Sequence, residues 1–90
     1  MCRNIKPLFN FDPPTNEDDV RAAALQFVRK ISGFNKPSKG NEAAFDAAVE
    51  AITAASLTLL NSLETNAPPK SRELEIARAK ARSAQRFARP

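Results

Sequence analysis

Four groups of residues in this 90-residue chain are of types that could do chemistry. Cys2 stands beside Arg3 and close to the terminal amine. Nearby positive charge favours the thiolate, the form that attacks electrophiles and binds metals. Such a thiol suits redox or covalent chemistry, but the chain has no histidine, so the usual thiol–imidazole pair cannot form. A small thiol anchoring the N-terminal segment is the simpler role. The second group is Lys36, Ser38, Lys39, Gly40 and Asn41, which runs into the expected start of a helix. Two lysines, a hydroxyl and free backbone amides at a helix N-terminus can hold a small anion. It is no Walker loop, since the glycine spacing and the terminal Gly-Lys-Ser/Thr are missing. The competing reading has Pro37 stiffening the loop and Ser38 or Asn41 capping the helix.

The third group is Arg78, Arg82 and Arg86 at four-residue spacing, followed by Arg89. On a helix these arginines line one side, where planar guanidinium forks suit phosphate oxygens or an acidic partner. The fourth group, Glu42, Asp46 and Glu50, repeats with the same spacing. Two complementary ladders can face one another within a subunit or across a dimer, each exposed pair contributing about 0–1 kcal/mol. Basic charge without interleaved aromatics is a weak signal for nucleic acid, and Phe87 alone makes no stacking platform. The acidic residues lack the histidines of di-metal helical bundles, so neither a metal nor a cofactor is expected.

The elements that must position these groups are helices. Pro7, Pro13 and Pro14 forbid a regular helix over residues 1–14, while Ile5, Leu8, Phe9 and Phe11 make that stretch an extended apolar arm. Exposing four apolar residues is unfavourable, so the arm is expected to lie across the helical core. The first helix is predicted over about 16–31, capped by Thr15 with Asp18 three residues on, and stopped at Gly33. Val20, Ala23, Ala24, Phe27, Val28 and Ile31 form its apolar face. A second helix is predicted over about 41–63 from the long stripe of Phe45, Ala48, Val49, Ile52, Ser56, Leu59, Leu60 and Leu63. Pro68 and Pro69 enforce a turn, and Ser71 caps a third helix over about 72–87. The inner face of that helix reads as Leu74, Ala77, Ala81, Ala84 and Ala88, small residues that bury little area. Nothing reads as a strand. The expected fold is all-α: one domain over residues 1–90, with three helices, the arm at 1–14 and a basic C-terminal helix within 70–90.

Composition narrows the function classes. A single cysteine excludes an internal disulfide and a disulfide-dense secreted scaffold, which favours a reducing cytoplasm. No stretch reads as the roughly 20 apolar residues of a membrane span, and the N-terminus lacks the apolar region of a signal peptide. The formal charge of +4 is unevenly placed. From Lys70 to Pro90 seven bases stand against two acids, a net +5, which leaves −1 for the rest. Such asymmetry permits an acidic partner such as nucleic acid. A helix-turn-helix reader needs a turn of about 3–4 residues, shorter than the connection from Ser32 to Gly40.

Met-Cys-Arg-Asn-Ile-Lys at residues 1–6, Phe-Asn-Phe at 9–11 with Pro13-Pro14, Gln-Phe-Val-Arg-Lys at 26–30, Ser32-Gly33 and Lys-Pro-Ser at 36–38 resemble a bacterial family of short uncharacterised proteins. The resemblance spans nearly the whole chain and implies a stand-alone intracellular protein. It brings no activity, ligand or catalytic residue. The expectation is a non-enzymatic interaction module that associates with itself or another protein. A nucleic-acid-associated protein using the basic helix, and a thiol-dependent enzyme or redox protein using Cys2, are the alternatives.

Overall fold

The computed structural model describes residues 4–88, with side chains through Gln85. Three helices dominate: α1 at Glu17–Ser32, α2 at Glu42–Ser62 and α3 at Arg72–Ala88. Each boundary lies within one residue of the sequence expectation. A short 3-10 turn, Lys39–Asn41, leads into α2.

The start of α1 is set by a reciprocal cap one residue beyond the expected pair. Asn16 Oδ1 accepts from the Asp19 amide at 2.9 Å, and Asp19 Oδ2 accepts from the Asn16 amide at 3.0 Å. Two of the helix's orphan donors are thereby satisfied. Thr15, expected as the cap, instead donates its hydroxyl to the carbonyl of Leu8 at 2.8 Å and so ties down the arm. At the far end Gly33 takes a left-handed conformation, φ 79°, and its N–H donates to the Arg29 carbonyl at 3.0 Å.

Packing of α1 on α2 makes the core. Val20, Ala24 and Val28, four residues apart, are the buried side of α1, and Ala24 and Val28 meet Phe45 and Val49 of α2. Thr53 is buried too, its hydroxyl donating to the Val49 carbonyl one turn back at 2.7 Å. The buried face of α1 is therefore narrower than its apolar pattern. Phe27 and Ile31, expected inside, are 44% and 67% exposed.

The arm crosses to the start of α3. Phe11–Asp12 (β1) pairs in parallel with Lys70–Ser71 (β2), Phe11 opposite Lys70 and Asp12 opposite Ser71. The Lys70 amide donates to the Asn10 carbonyl at 2.8 Å. Asn10 holds φ 64°, and its side-chain amide donates to the carbonyls of Ala67 and Pro68 at 3.3 and 3.2 Å. Asparagine is among the few residues that visit this region readily. Ser71 Oγ accepts from the Leu74 amide at 3.2 Å and caps α3 as its sequence suggests.

Extensive helix packing is confined to α1 on α2; α3 is attached mainly through the short ladder. The result is a plate of 43 × 42 × 16 Å with a radius of gyration of 15.9 Å. A compact 90-residue domain would have a radius of about 12 Å. With the turn before it, α2 has one further property. Lys39–Ser62 reaches a mean hydropathy of 1.5 over 18 residues, long and apolar enough by length and composition to cross a membrane. This corrects the expectation that no stretch approaches the length and apolar character of a membrane span.

Candidate functional site

A groove of about 210 Å³ lies between the arm and α3. Its apolar lining is Pro7, Leu8 and Phe11 from the arm with Ile76 and Ala79 from α3. Four cations share the same lining: Lys6, Lys70, Arg72 and Arg82. Each arrives for a local reason. Pro7 keeps the arm extended, so Lys6 and Leu8 flank it along one path. The ladder fixes Lys70 beside Phe11, with its ammonium 5.7 Å from the ring centroid, a cation–π contact. Helical spacing then places Arg72, Ile76, Ala79 and Arg82 on one side of α3.

The cations differ in how far they are neutralised. Arg72 donates to Asp19 Oδ2 at 3.1 Å, and both side chains are about three-quarters covered. The same aspartate closes the α1 cap, so one carboxylate joins the starts of two helices. Glu75, the acid that lines the groove, binds Arg78 at 3.2 Å within its own helix. Among the described residues, neither Lys6 nor Arg82 has an ion-pair partner.

The inner face that the sequence suggests for α3 is not buried. Leu74 is 48% exposed, and Ala77, Ala81 and Ala84 are exposed as well, so the stripe expected to face inward is not buried against the chain; on the groove side Ile76, at 50%, and Ala79 are exposed too. At about 100° per residue, these positions lie opposite Arg72, Ile76 and Ala79. A period marks out a face but does not say what it meets. Here the side that lines the groove with the arm carries Arg72, Ile76, Ala79 and Arg82, and its apolar members stay exposed.

Among the described residues the two charge ladders do not meet, because α3 does not pack along α2. Glu50 binds Arg21 of α1, which also reaches Glu17 at 3.9 Å. The hydrogen bond from Arg21 to Glu50, then the charge of that carboxylate, holds the guanidinium above its ordinary pKa. Glu42 and Asp46 are exposed. In the candidate anion loop Lys36, Ser38, Lys39, Gly40 and Asn41 are all exposed, and the polar groups turn on one another. Asn41 donates from its side chain to Ser38 Oγ at 2.8 Å and from its backbone to the Ser38 carbonyl at 2.9 Å. Cys2, Arg3 and Arg89 lie outside the described residues, as does the side chain of Arg86.

A model of one protein family, the uncharacterised conserved proteins DUF2277, matches residues 1–78. The chain belongs to this family. No curated protein and no solved structure matches it. In this DUF2277 member the matched span takes in the arm, α1, α2 and the start of α3, and so all of the groove lining except Ala79 and Arg82. Sequence reasoning found Arg82 but missed Lys6, Lys70 and Arg72 as members of the same site. Lys6 and Lys70 are brought together only by a two-residue ladder, which leaves no period in the sequence. The available signal was Asn10 ahead of Phe11, a residue suited to a sharp backbone reversal.

Proposed function

We propose that this chain is a non-enzymatic protein-interaction module that works by associating with a second copy of itself. One observation carries this reading. The chain exposes 7172 Å², whereas a compact protein of 9.8 kDa exposes about 5,200 Å². The excess of roughly 2,000 Å² is more than the about 800 Å² that each partner buries in a standard interface. Large apolar side chains are part of the exposed surface. Phe27, Ile31 and Phe34 at one end of the hairpin, Leu59 and Leu63 at the other, and Leu74 on α3 are all more than two-fifths exposed. Single exposed apolar residues are ordinary, but a plate one helix layer thick lacks the second layer that domains use to bury such faces. The outer stripe of α3, Leu74 with Ala77, Ala81 and Ala84, allows close approach of another helix. The exposed acids Glu42 and Asp46 on α2 and the exposed Arg78 on α3 offer complementary charge to a second copy.

Light scattering coupled to size exclusion tests the reading. A particle of about twice 9.8 kDa is expected, and Leu74→Asp combined with Ala81→Asp should convert it to a monomer that keeps its helical circular dichroism. A wild-type monomer at about 1 mM would overturn it, since an interface that weak is worth only about 4 kcal/mol. A dimer undisturbed by the double substitution would remove α3 from the interface. Tight duplex binding with a steep salt dependence, lost on replacing Arg78 and Arg82, would move the assignment to nucleic acid.

A further inference from the structure

The groove between the arm and α3 carries an inference of its own, on the side of α3 opposite the proposed dimer stripe. Four cations line a small space whose remaining walls are largely apolar, and the lining acid Glu75 is directed to Arg78. Gathering like charges on low-dielectric walls is unfavourable without a counter-ion, and such walls focus the field on whatever enters. Arg82 offers a planar fork for a carboxylate or phosphate, and Lys6 a point charge. Leu8, Phe11 and Ile76 offer an apolar surface that water solvates poorly. The volume, about 210 Å³, is below the about 300–1,000 Å³ of sites for drug-sized ligands, so one ring or short chain with one anionic group is what fits.

We propose that this groove binds a small amphipathic anion, a phosphate or carboxylate held by Lys6 and Arg82 with its apolar body against Leu8, Phe11 and Ile76. The fixed members of the lining prepare the site. Arg72 is held by Asp19 and the Lys70 ammonium lies over the Phe11 ring, which leaves Lys6 and Arg82 as the side chains for the ligand to order. Immobilising few rotamers on binding keeps the entropic opposition small. Either a free metabolite or the headgroup end of a lipid could present this chemistry.

Titration with phenyl phosphate, followed by amide NMR shifts, is the test. Saturable shifts are expected at Leu8, Phe11, Ile76 and Ala79, with inorganic phosphate and phenol each on the order of tenfold weaker because each supplies half of the recognition. Arg82→Gln and Lys6→Gln should each weaken binding by roughly fivefold to tenfold, while the thermal midpoint stays put, since both side chains are exposed and make no ion pair among the described residues. Shifts that fail to saturate by about 10 mM, or that inorganic phosphate reproduces in full, would overturn the proposal. So would binding indifferent to both substitutions. Co-sedimentation with vesicles containing phosphatidic acid separates the two sources. Sedimentation competed away by phenyl phosphate assigns the lipid headgroup, phenyl phosphate binding without sedimentation assigns a free ligand, and sedimentation that phenyl phosphate cannot compete overturns the groove as the site.

Discussion

Between α1 and α2 the contacts are apolar and interleaved, Ala24 and Val28 against Phe45 and Val49, whereas α3 is joined to the arm by a two-residue ladder and an asparagine side chain, and to α1 by one ion pair. Apolar contact scales with buried area and is indifferent to direction, so the hairpin is where stability accumulates. Hydrogen bonds and ion pairs contribute little net free energy each but fix geometry, so they orient α3 without anchoring it deeply. The proposed ligand groove and dimer stripe both lie on the weakly held half, the usual place for surfaces that bind and adjust.

The hardest blow to that comparison would come at Phe45. It is buried in a core of few large side chains, and Phe45→Ala should reduce stability by about 3–4 kcal/mol. That is a large share of the roughly 5–10 kcal/mol available to a small domain. Urea denaturation followed by circular dichroism measures it. Leu74→Ala, on the exposed side of α3, should change the monomer's stability by no more than about 0.5 kcal/mol. Equal losses at the two positions would mean that stability is not concentrated in the hairpin.

A smaller effect is expected at Asn10, and it should be local. Asn10→Val removes two hydrogen bonds to the Ala67–Pro68 turn and places a β-branched residue at φ 64°, a loss of about 1–2 kcal/mol for the clasp. Amide exchange at Lys70 should accelerate, while Val28 and Val49 keep their protection. Asn10→Gly, which tolerates the backbone conformation but lacks the side chain, should fall between the two. Uniform acceleration across all three amides would show that arm and hairpin open as one unit.

What could be read in the sequence follows the same division. The long periods of α1 and α2 located both helices, and Gly33 and Ser71 marked a stop and a cap, because these signals are local. The cap of α1 slipped by one residue because Thr15 and Asn16 are both capable caps, and only the contact with Leu8 in the arm decides between them. The exposure of Leu74 and the alanines was not legible, since a helix attached by its first turn can present either side to the chain. Lys6, Lys70 and Arg72 share one groove through contacts more than fifty residues apart in sequence, which no single-chain pattern encodes.

The finest test concerns the ion pair between Asp19 and Arg72. Asp19 serves two helices, closing the α1 cap and receiving Arg72, so Asp19→Ala combines both losses and cannot separate them. A double-mutant cycle of Asp19→Asn with Arg72→Met isolates the pair, because asparagine retains an oxygen for the Asn16 amide. Both side chains keep about a quarter of their surface in water, which limits the coupling to about 0.5–1 kcal/mol, and it should shrink as salt is raised. Breaking the pair should also speed amide exchange in the first turn of α3 more than in α1. A coupling of zero at low salt would leave the ladder and Asn10 as the whole attachment of α3, and the Asn10 substitutions would then have to release the helix completely.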